Sequence, residues 1–135
     1  MTTTLLIIGS VFIGLAALIH VYIFYMESVT WTAPGTWRRF GIRSQEEAET
    51  IRSMAYNQGF YNAFLAVGAL AGIVLAASPV MHQAGIALEL FASLSMVLAA
   101  TVLVISSPRL ARAAVLQGAL PLIGIIFTAI GLLAA

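Results

Sequence analysis

The sequence predicts an all-α integral membrane protein, built as a bundle of four transmembrane helices. Hydrophobic residues make up 61% of the 135 residues and charged residues only 8%, whereas a soluble domain carries about 25% charged residues. The apolar residues fall into four runs, each close to the roughly 20 residues that cross a bilayer core. The predicted spans are residues 5–26, 54–77, 84–106 and 113–135, within a single domain of residues 1–135.

The first apolar run is predicted to be a retained span. No positively charged residue precedes it, and it is longer than the roughly 7–15 residues of a signal-peptide core. The breaks between spans coincide with Pro34, Pro79 and Pro108. Proline cannot continue a helix interior and disfavours helical geometry in the residue before it.

The first loop, from about residue 28 to residue 52, is the only sizeable polar segment. Ser44 and Glu47 form a Ser-x-x-Glu capping pattern. It predicts a helix that starts there and continues without a break into the second span, as a polar extension of about two turns. Trp31 and Trp37 are interpreted as anchors at the membrane–water interface, where tryptophan is enriched.

The arginines predict the orientation. The chain has six Arg and no Lys, and every Arg lies in the first or third loop. The positive-inside rule places these loops in the cytoplasm and both termini outside. Such a bias argues against an antiparallel dual-topology dimer. The arginines are too few and scattered for a nucleic-acid surface, so the predicted partner is the lipid bilayer.

Neither a metal ion nor a cofactor is predicted. The chain has no cysteine, which excludes disulfides, thiolate catalysis and Cys-ligated metals. One intramembrane His with one Glu is too few ligands for a zinc site. A haem held by one axial His is compatible with the composition, but no motif indicates it.

Polar side chains collect in the spans near the arginines. His20 and Glu27 are seven residues apart and therefore share one helix face. In the fourth span, Gln117 begins a stripe of small residues that suits close helix packing.

The second span opens with a dense polar patch. Gln58 and Asn62 are four residues apart and therefore neighbours on one face. Asn57 and Tyr61 form a second such pair beside them.

Residues of three spans are thus expected at one depth, and hydrocarbon solvates amides and imidazoles poorly. We expect them to turn toward one another and form a polar pocket for a small or amphipathic ligand, with His20 and Glu27 as its ionisable pair. The predicted ligand-binding residues are His20, Glu27, Asn57, Gln58, Tyr61, Asn62 and Gln117.

Four other interpretations stay open, and no catalytic residue is predicted. The amides could simply bond neighbouring helices together. An enzyme acting on a lipid or quinone could use His20 as general acid or base beside Glu27. A small-solute or proton transporter would need a partner at the outer end, where Glu89 is the sole candidate. An accessory or assembly subunit would use small-residue faces to dock a larger membrane complex. A homo-oligomer is a further possible partner state.

Glu89 lies in the third span, on a face with Ser93 and Met96 and toward the end away from the arginines. A charged group at the bilayer centre costs at least about 2.5–3.5 kcal/mol on insertion scales. Two interpretations follow: a snorkelling or hydrogen-bonded carboxylate, or a protonatable functional group.

Three segments carry a family resemblance: His-Val-Tyr-Ile-Phe-Tyr-Met-Glu at 20–27, Asn-Gln-Gly-Phe-Tyr-Asn-Ala-Phe-Leu-Ala at 57–66 and Gln-Gly-Ala-Leu-Pro at 117–121. With Trp31 and Phe40, they resemble a bacterial family of small membrane proteins catalogued as domain of unknown function 1304. The likeness covers nearly the whole chain, and Asn-Gln-Gly-x-Tyr-Asn is its most specific element. It implies a four-helix protein of the bacterial inner membrane whose signature lies on the polar cluster, and it implies no particular activity.

Overall fold

The computed structural model describes residues 2–134, and the regular elements in this range are all helical. Helix α1 spans Thr2–Phe24. The first loop contains two short helices, α2 (Pro34–Trp37) and α3 (Gln45–Thr50). Three long helices follow: α4 (Arg52–Ala76), α5 (His82–Ser106) and α6 (Ala111–Leu133).

The predicted all-α fold is confirmed, because four segments are long and apolar enough to cross a membrane. They are Thr2–Val29, Arg52–Ala76, His82–Ser106 and Pro108–Leu133. Each predicted span coincides with one of them, although the first extends further at both ends than expected. The predicted fourth span ended at residue 135, which lies outside the described residues.

The four long helices form a ring in which α1 packs on α4 and α6, and α5 packs on α4 and α6. Successive long helices run in opposite directions. The first and third loops therefore meet at one end of the bundle, which we call the arginine end. Thr2, Ala134 and the turn between α4 and α5 lie at the opposite end. Which end faces the cytoplasm stays a prediction.

Small residues allow α1 and α6 to approach closely. A Cβ added at Gly124 would lie 2.6 Å from Ile13 Cγ1 and 3.1 Å from the Gly9 carbonyl oxygen, which leaves no room for a side chain. The predicted stripe on α6 is buried at Pro121, Gly124, Thr128 and Gly131. Gln117, at its arginine end, is half-buried.

An apolar core fills the middle of the bundle. Its residues come from α1, α4 and α5 and are at most 2% exposed: Ile13, Ala16, Ala17, Ala66, Ala69, Ala92 and Met96. This layer separates the polar groups at the arginine end from those at the opposite end.

The first loop folds over a small core of its own, which corrects the interpretation of its tryptophans. Trp31 and Trp37 are buried, and they pack with Ala48 and Ala55. Trp31 Nε1 donates to the Ala48 carbonyl oxygen at 2.8 Å, and Trp37 Nε1 donates to Gln45 Oε1 at 3.0 Å. Since both indoles are enclosed by protein, they hold the loop together instead of facing lipid headgroups.

The predicted cap at Ser44 is confirmed, because its Oγ accepts from the Glu47 backbone N–H at 3.1 Å. The Glu47 carboxylate accepts from the Arg43 backbone N–H at 3.0 Å. In a capping box it would accept from the N–H of the N-cap residue itself, which is Ser44.

The polar extension of the second span is helical, but it is not continuous with that span as predicted. Helix α3 ends at Thr50, Ile51 adopts φ −99° and ψ 9°, and α4 begins at the next residue. The Thr50 hydroxyl donates back to the Glu46 carbonyl oxygen at 2.8 Å. Such back-bonding often bends helices. Ile51 is β-branched, which slightly lowers its helix propensity.

Candidate functional site

Two buried polar side chains join α1 and α4 near the arginine end. Asn62 Nδ2 donates to Glu27 Oε2 at 2.9 Å and to the Gln58 carbonyl oxygen at 3.1 Å. Glu27 and Asn62 are each 8% exposed. A buried carboxylate needs hydrogen-bond donors to offset its lost hydration, so this bond ties the two helices together.

Glu27 is brought to Asn62 by a π-helical turn, Tyr25–Val29, that follows α1. The Ser28 hydroxyl in this turn donates to the Tyr56 carbonyl oxygen at 2.9 Å. Gly59 faces the turn so closely that an added Cβ would lie 3.1 Å from Glu27 Cβ and 3.2 Å from the Phe24 carbonyl oxygen. Two members of the Asn-Gln-Gly-x-Tyr-Asn element thus have structural roles, Gly59 as a contact point and Asn62 as a donor.

His20 is buried nearer to the middle of the bundle, with 1% exposure. Its Nδ1 lies 2.9 Å from the Ala16 carbonyl oxygen. A carbonyl only accepts, so Nδ1 carries the hydrogen and Nε2 is left as an acceptor. Nε2 is buried and has no hydrogen-bond partner among residues 2–134.

Gln117 lies at the height of His20. In the antiparallel contact between α1 and α6, Ile13 faces Gly124. Seven residues from this contact toward the arginine end, the same register places Gln117 of α6 opposite His20 of α1. No hydrogen bond joins the two side chains, so the structure brings them to one level without pairing them.

The other three predicted residues point away from this cluster. Asn57, Gln58 and Tyr61 lie on the outer face of α4 with exposed side chains. The seven residues therefore lie toward the arginine end of the bundle, but at more than one height and not all facing inward. A ligand-binding role for the seven residues stays a prediction.

Little free space exists beside the cluster. A cavity of about 100 Å³ adjoins Glu27, enough for roughly three water molecules at about 30 Å³ each. Of the seven predicted residues, Glu27 alone contributes to its wall, which consists of Glu27, Ser28, Val29, Trp31, Thr32, Arg52 and Tyr56.

A larger cavity of about 680 Å³ lies at the opposite end, within the range of about 300–1,000 Å³ typical of ligand pockets. It is bordered mainly by α1 and by the ends of α4 and α5 that meet there. Its lining is Thr3, Leu6, Ile7, Ser10, Val11, Gly14, Ile73, Ala76, Ala77, His82, Ile86, Glu89 and Thr128.

Glu89 is the acidic group of this cavity, and it is 1% exposed. The Ser10 hydroxyl lies 2.9 Å from Glu89 Oε2 and 3.2 Å from Oε1. Gly72 of α4 packs directly against the Glu89 backbone, since an added Cβ there would lie 2.7 Å from the Glu89 nitrogen. Within the first interpretation of Glu89, the structure supports a hydrogen-bonded side chain and not a snorkelling one; a protonatable functional role for Glu89 stays a prediction.

The pairing of Ser10 with Glu89 was not predicted from the sequence, although a signal for it was present. Ser10 lies eight residues into α1 and Glu89 seven residues into α5. The two helices run in the same direction and both begin at the opposite end. The nearly equal offsets therefore place the two residues at about one height.

Among residues 2–134, the cavity combines an apolar wall with a carboxylate that has no Lys or Arg side chain beside it. The chain has no Lys, and its six Arg lie within residues 38–52 and 109–112, at the arginine end. His82 is the one basic side chain in the lining. Within residues 2–134, no three His, Asp or Glu side chains are grouped to hold a metal ion. The Glu89 carboxylate can pair with a cationic group or accept hydrogen bonds.

No protein of curated function and no solved structure matches this chain. A family model described as "Protein of unknown function (DUF1304)" matches residues 14–129, which include both the Glu27–Asn62 pair and Glu89. The chain therefore belongs to this family, as its sequence resemblance indicated.

Proposed function

We propose that this protein binds an amphipathic molecule with a cationic, hydrogen-bond-donating head group, in the cavity at the opposite end of the bundle. The observation that carries the proposal is a buried carboxylate, Glu89, in a cavity of about 680 Å³ without a Lys or Arg. Buried charges in proteins are normally paired. An ammonium head group would supply the missing charge.

The apolar wall supports an amphipathic ligand over a small solute. Ile7 and Val11 line the cavity and are also 59% and 56% exposed on the outer side of α1. A molecule could therefore enter sideways from the membrane. Its hydrocarbon chain would lie along Ile7, Val11 and Ile73, with its head against Glu89 and Ser10.

The apolar core supports binding over passage through the bundle. Ile13, Ala17 and Met96 are fully buried between the cavity and the arginine end. They place apolar side chains between the cavity and the polar groups His20 and Glu27.

Size favours this cavity over the polar cluster that was predicted as the pocket. The space at Glu27 is about 100 Å³ and suits water or a small ion, not an amphiphile. We infer that the Glu27–Asn62 pair holds α1 and α4 closed at the arginine end.

By the arginine distribution, we further propose that the cavity opens into the leaflet away from the cytoplasm. The membrane would be the inner membrane of a bacterium, as the family resemblance implies. The ligand would then be a membrane component or an amphiphile arriving from outside the cell.

Three probes with the same chain and different head groups test the proposal: dodecylammonium, dodecanol and dodecyl sulfate. Binding to the protein in phosphatidylcholine nanodiscs is measured by native mass spectrometry. We expect dodecylammonium to bind at least about tenfold more tightly than dodecanol, because a hydrogen bond to a charged group contributes about 1.5–3 kcal/mol. Dodecyl sulfate should bind most weakly.

Glu89→Gln should remove the preference for the ammonium probe and leave dodecanol binding unchanged. Glu27→Gln is the matched control, since it neutralises the other buried carboxylate, and it should keep the preference. The proposal fails if the Glu89→Gln protein still prefers dodecylammonium, or if Glu27→Gln abolishes that preference.

A further inference from the structure

Part of the polar segment at residues 57–62 is used neither by the cavity nor by the Glu27–Asn62 pair. Asn57, Gln58 and Tyr61 are exposed on α4, and we call this set the amide face. Their side chains make no hydrogen bond to any residue between 2 and 134, whereas Gly59 and Asn62 of the same segment point inward. The outward polar residues therefore have no hydrogen-bond partner within the described part of a single copy.

The amide face lies within Arg52–Ala76, a helix long and apolar enough to cross a membrane. At about 1.5 Å of rise per residue, Asn57 lies about 7.5 Å and Tyr61 about 13.5 Å along α4 from Arg52. Lipid tails cannot bond to amides, and an unsatisfied polar group in hydrocarbon is costly. A covering protein surface would remove that cost.

The chemistry of the amide face fits a copy of itself. At about 100° per residue, Asn57, Gln58 and Tyr61 lie within an arc of about 100°. Asn and Gln side chains each carry donors and an acceptor, so two identical faces can satisfy each other. A two-fold symmetric interface brings the same patch of both partners together, and side-chain amides are known to bond across membrane helices.

We propose that the protein forms a symmetric dimer through the amide face of α4, with both copies in the same orientation. The arginine bias, which gives all copies one orientation, agrees with a two-fold axis along the membrane normal. Each residue of the amide face then lies near its own counterpart. The cavity borders the other end of α4, at Ile73, Ala76 and Ala77, and stays open in the dimer.

The absence of cysteine from the chain makes disulfide cross-linking a clean test. Tyr61→Cys is oxidised in native membranes and examined on non-reducing gels. The control is Leu116→Cys on α6, which has comparable exposure, 60% against 55% for Tyr61. We expect a disulfide-linked dimer for Tyr61→Cys and little or none for Leu116→Cys. Equal yields at the two positions, or no dimer at Tyr61→Cys, would overturn the proposal.

A second measurement avoids dependence on the cysteine variants. Dimerisation of the full chain in lipid vesicles is followed by energy transfer between labelled copies. Asn57→Leu with Gln58→Leu should weaken dimerisation by at least about tenfold, whereas Val115→Ala on α6 should leave it unchanged. If the amide face contacts lipid headgroups instead, the unmodified chain gives no energy transfer above that of randomly mixed monomers, and the dimer is refuted.

Discussion

The hydroxyl of Ser10 on α1 donates to the carboxylate of Glu89 on α5, across the diagonal of the bundle. These two helices otherwise touch little, because each packs mainly on α4 and α6. Both residues line the cavity, so the bond holds the carboxylate in place at the cavity wall.

A double-mutant cycle should detect this bond. Ser10→Ala is expected to lower the free energy of unfolding by about 1 kcal/mol, since interhelical hydrogen bonds in membranes contribute about 0.6 and at most about 1.7 kcal/mol. The same change made in a Glu89→Leu background should cost close to nothing, because no acceptor remains. Equal losses in the two backgrounds would show that the hydroxyl does not bond to Glu89.

The Glu27–Asn62 pair should behave as a coupled unit. Asn62→Leu leaves the buried carboxylate without its donor, and we expect a loss of about 1–3 kcal/mol in the free energy of unfolding. Glu27→Leu combined with Asn62→Leu should recover most of that loss, because replacing both partners by apolar groups removes the unmet hydrogen bond. A double variant no more stable than Asn62→Leu would contradict this pairing.

Gly59 and Gly68 lie on the same helix and should respond oppositely to alanine. Gly59→Ala would press a Cβ against Glu27 and the Phe24 backbone, so we expect a loss of roughly 1–3 kcal/mol, as for other overpacked sites. An added Cβ at Gly68 would meet Ala92 Cβ at 3.7 Å, an ordinary contact. Gly68→Ala should therefore be neutral or gain up to about 1 kcal/mol of helix propensity. Similar effects at both positions would refute the close approach at Gly59.

Tryptophan fluorescence should report the first loop directly, because Trp31 and Trp37 are the only two tryptophans. They are 6% and 4% exposed, so we expect weak quenching both by aqueous iodide and by brominated lipids. Ala48→Asp places a charge in the small core of the loop and should unfold it. Quenching of the tryptophans by iodide should then increase. Strong quenching by brominated lipids in the unmodified protein would instead support interface anchors.

The sequence predicted the spans and the end of the bundle at which the polar groups lie, because hydropathy and helix rise depend on local residues. It did not predict how each helix is rotated about its axis. The spans are apolar on nearly every side, so periodicity gives little guidance. Rotation depends on contacts between helices, such as Gly72 against Glu89 and Gly59 against Glu27. That dependence explains why Asn62 faces inward and Tyr61 does not.

The same reasoning explains why the cavity was found by structure and not by sequence. The polar residues near the arginines outnumber those at the opposite end, and they suggested that a pocket should lie among them. Free volume, however, depends on how closely backbones approach. Gly59 closes the contact between α1 and α4 at the arginine end, whereas Leu6, Ile7 and Ile73 leave space at the opposite end.

The most direct test is to map where a cationic amphiphile touches the protein. A dodecylammonium derivative with a diazirine in its chain is photolysed with the protein in nanodiscs, and the adducts are located by mass spectrometry. We predict adducts concentrated on Ile7, Val11 and Ile73, which disappear when unlabelled dodecylammonium competes. Adducts spread evenly over exposed residues of other faces, such as Phe91 and Ile126, would contradict a binding cavity at Glu89.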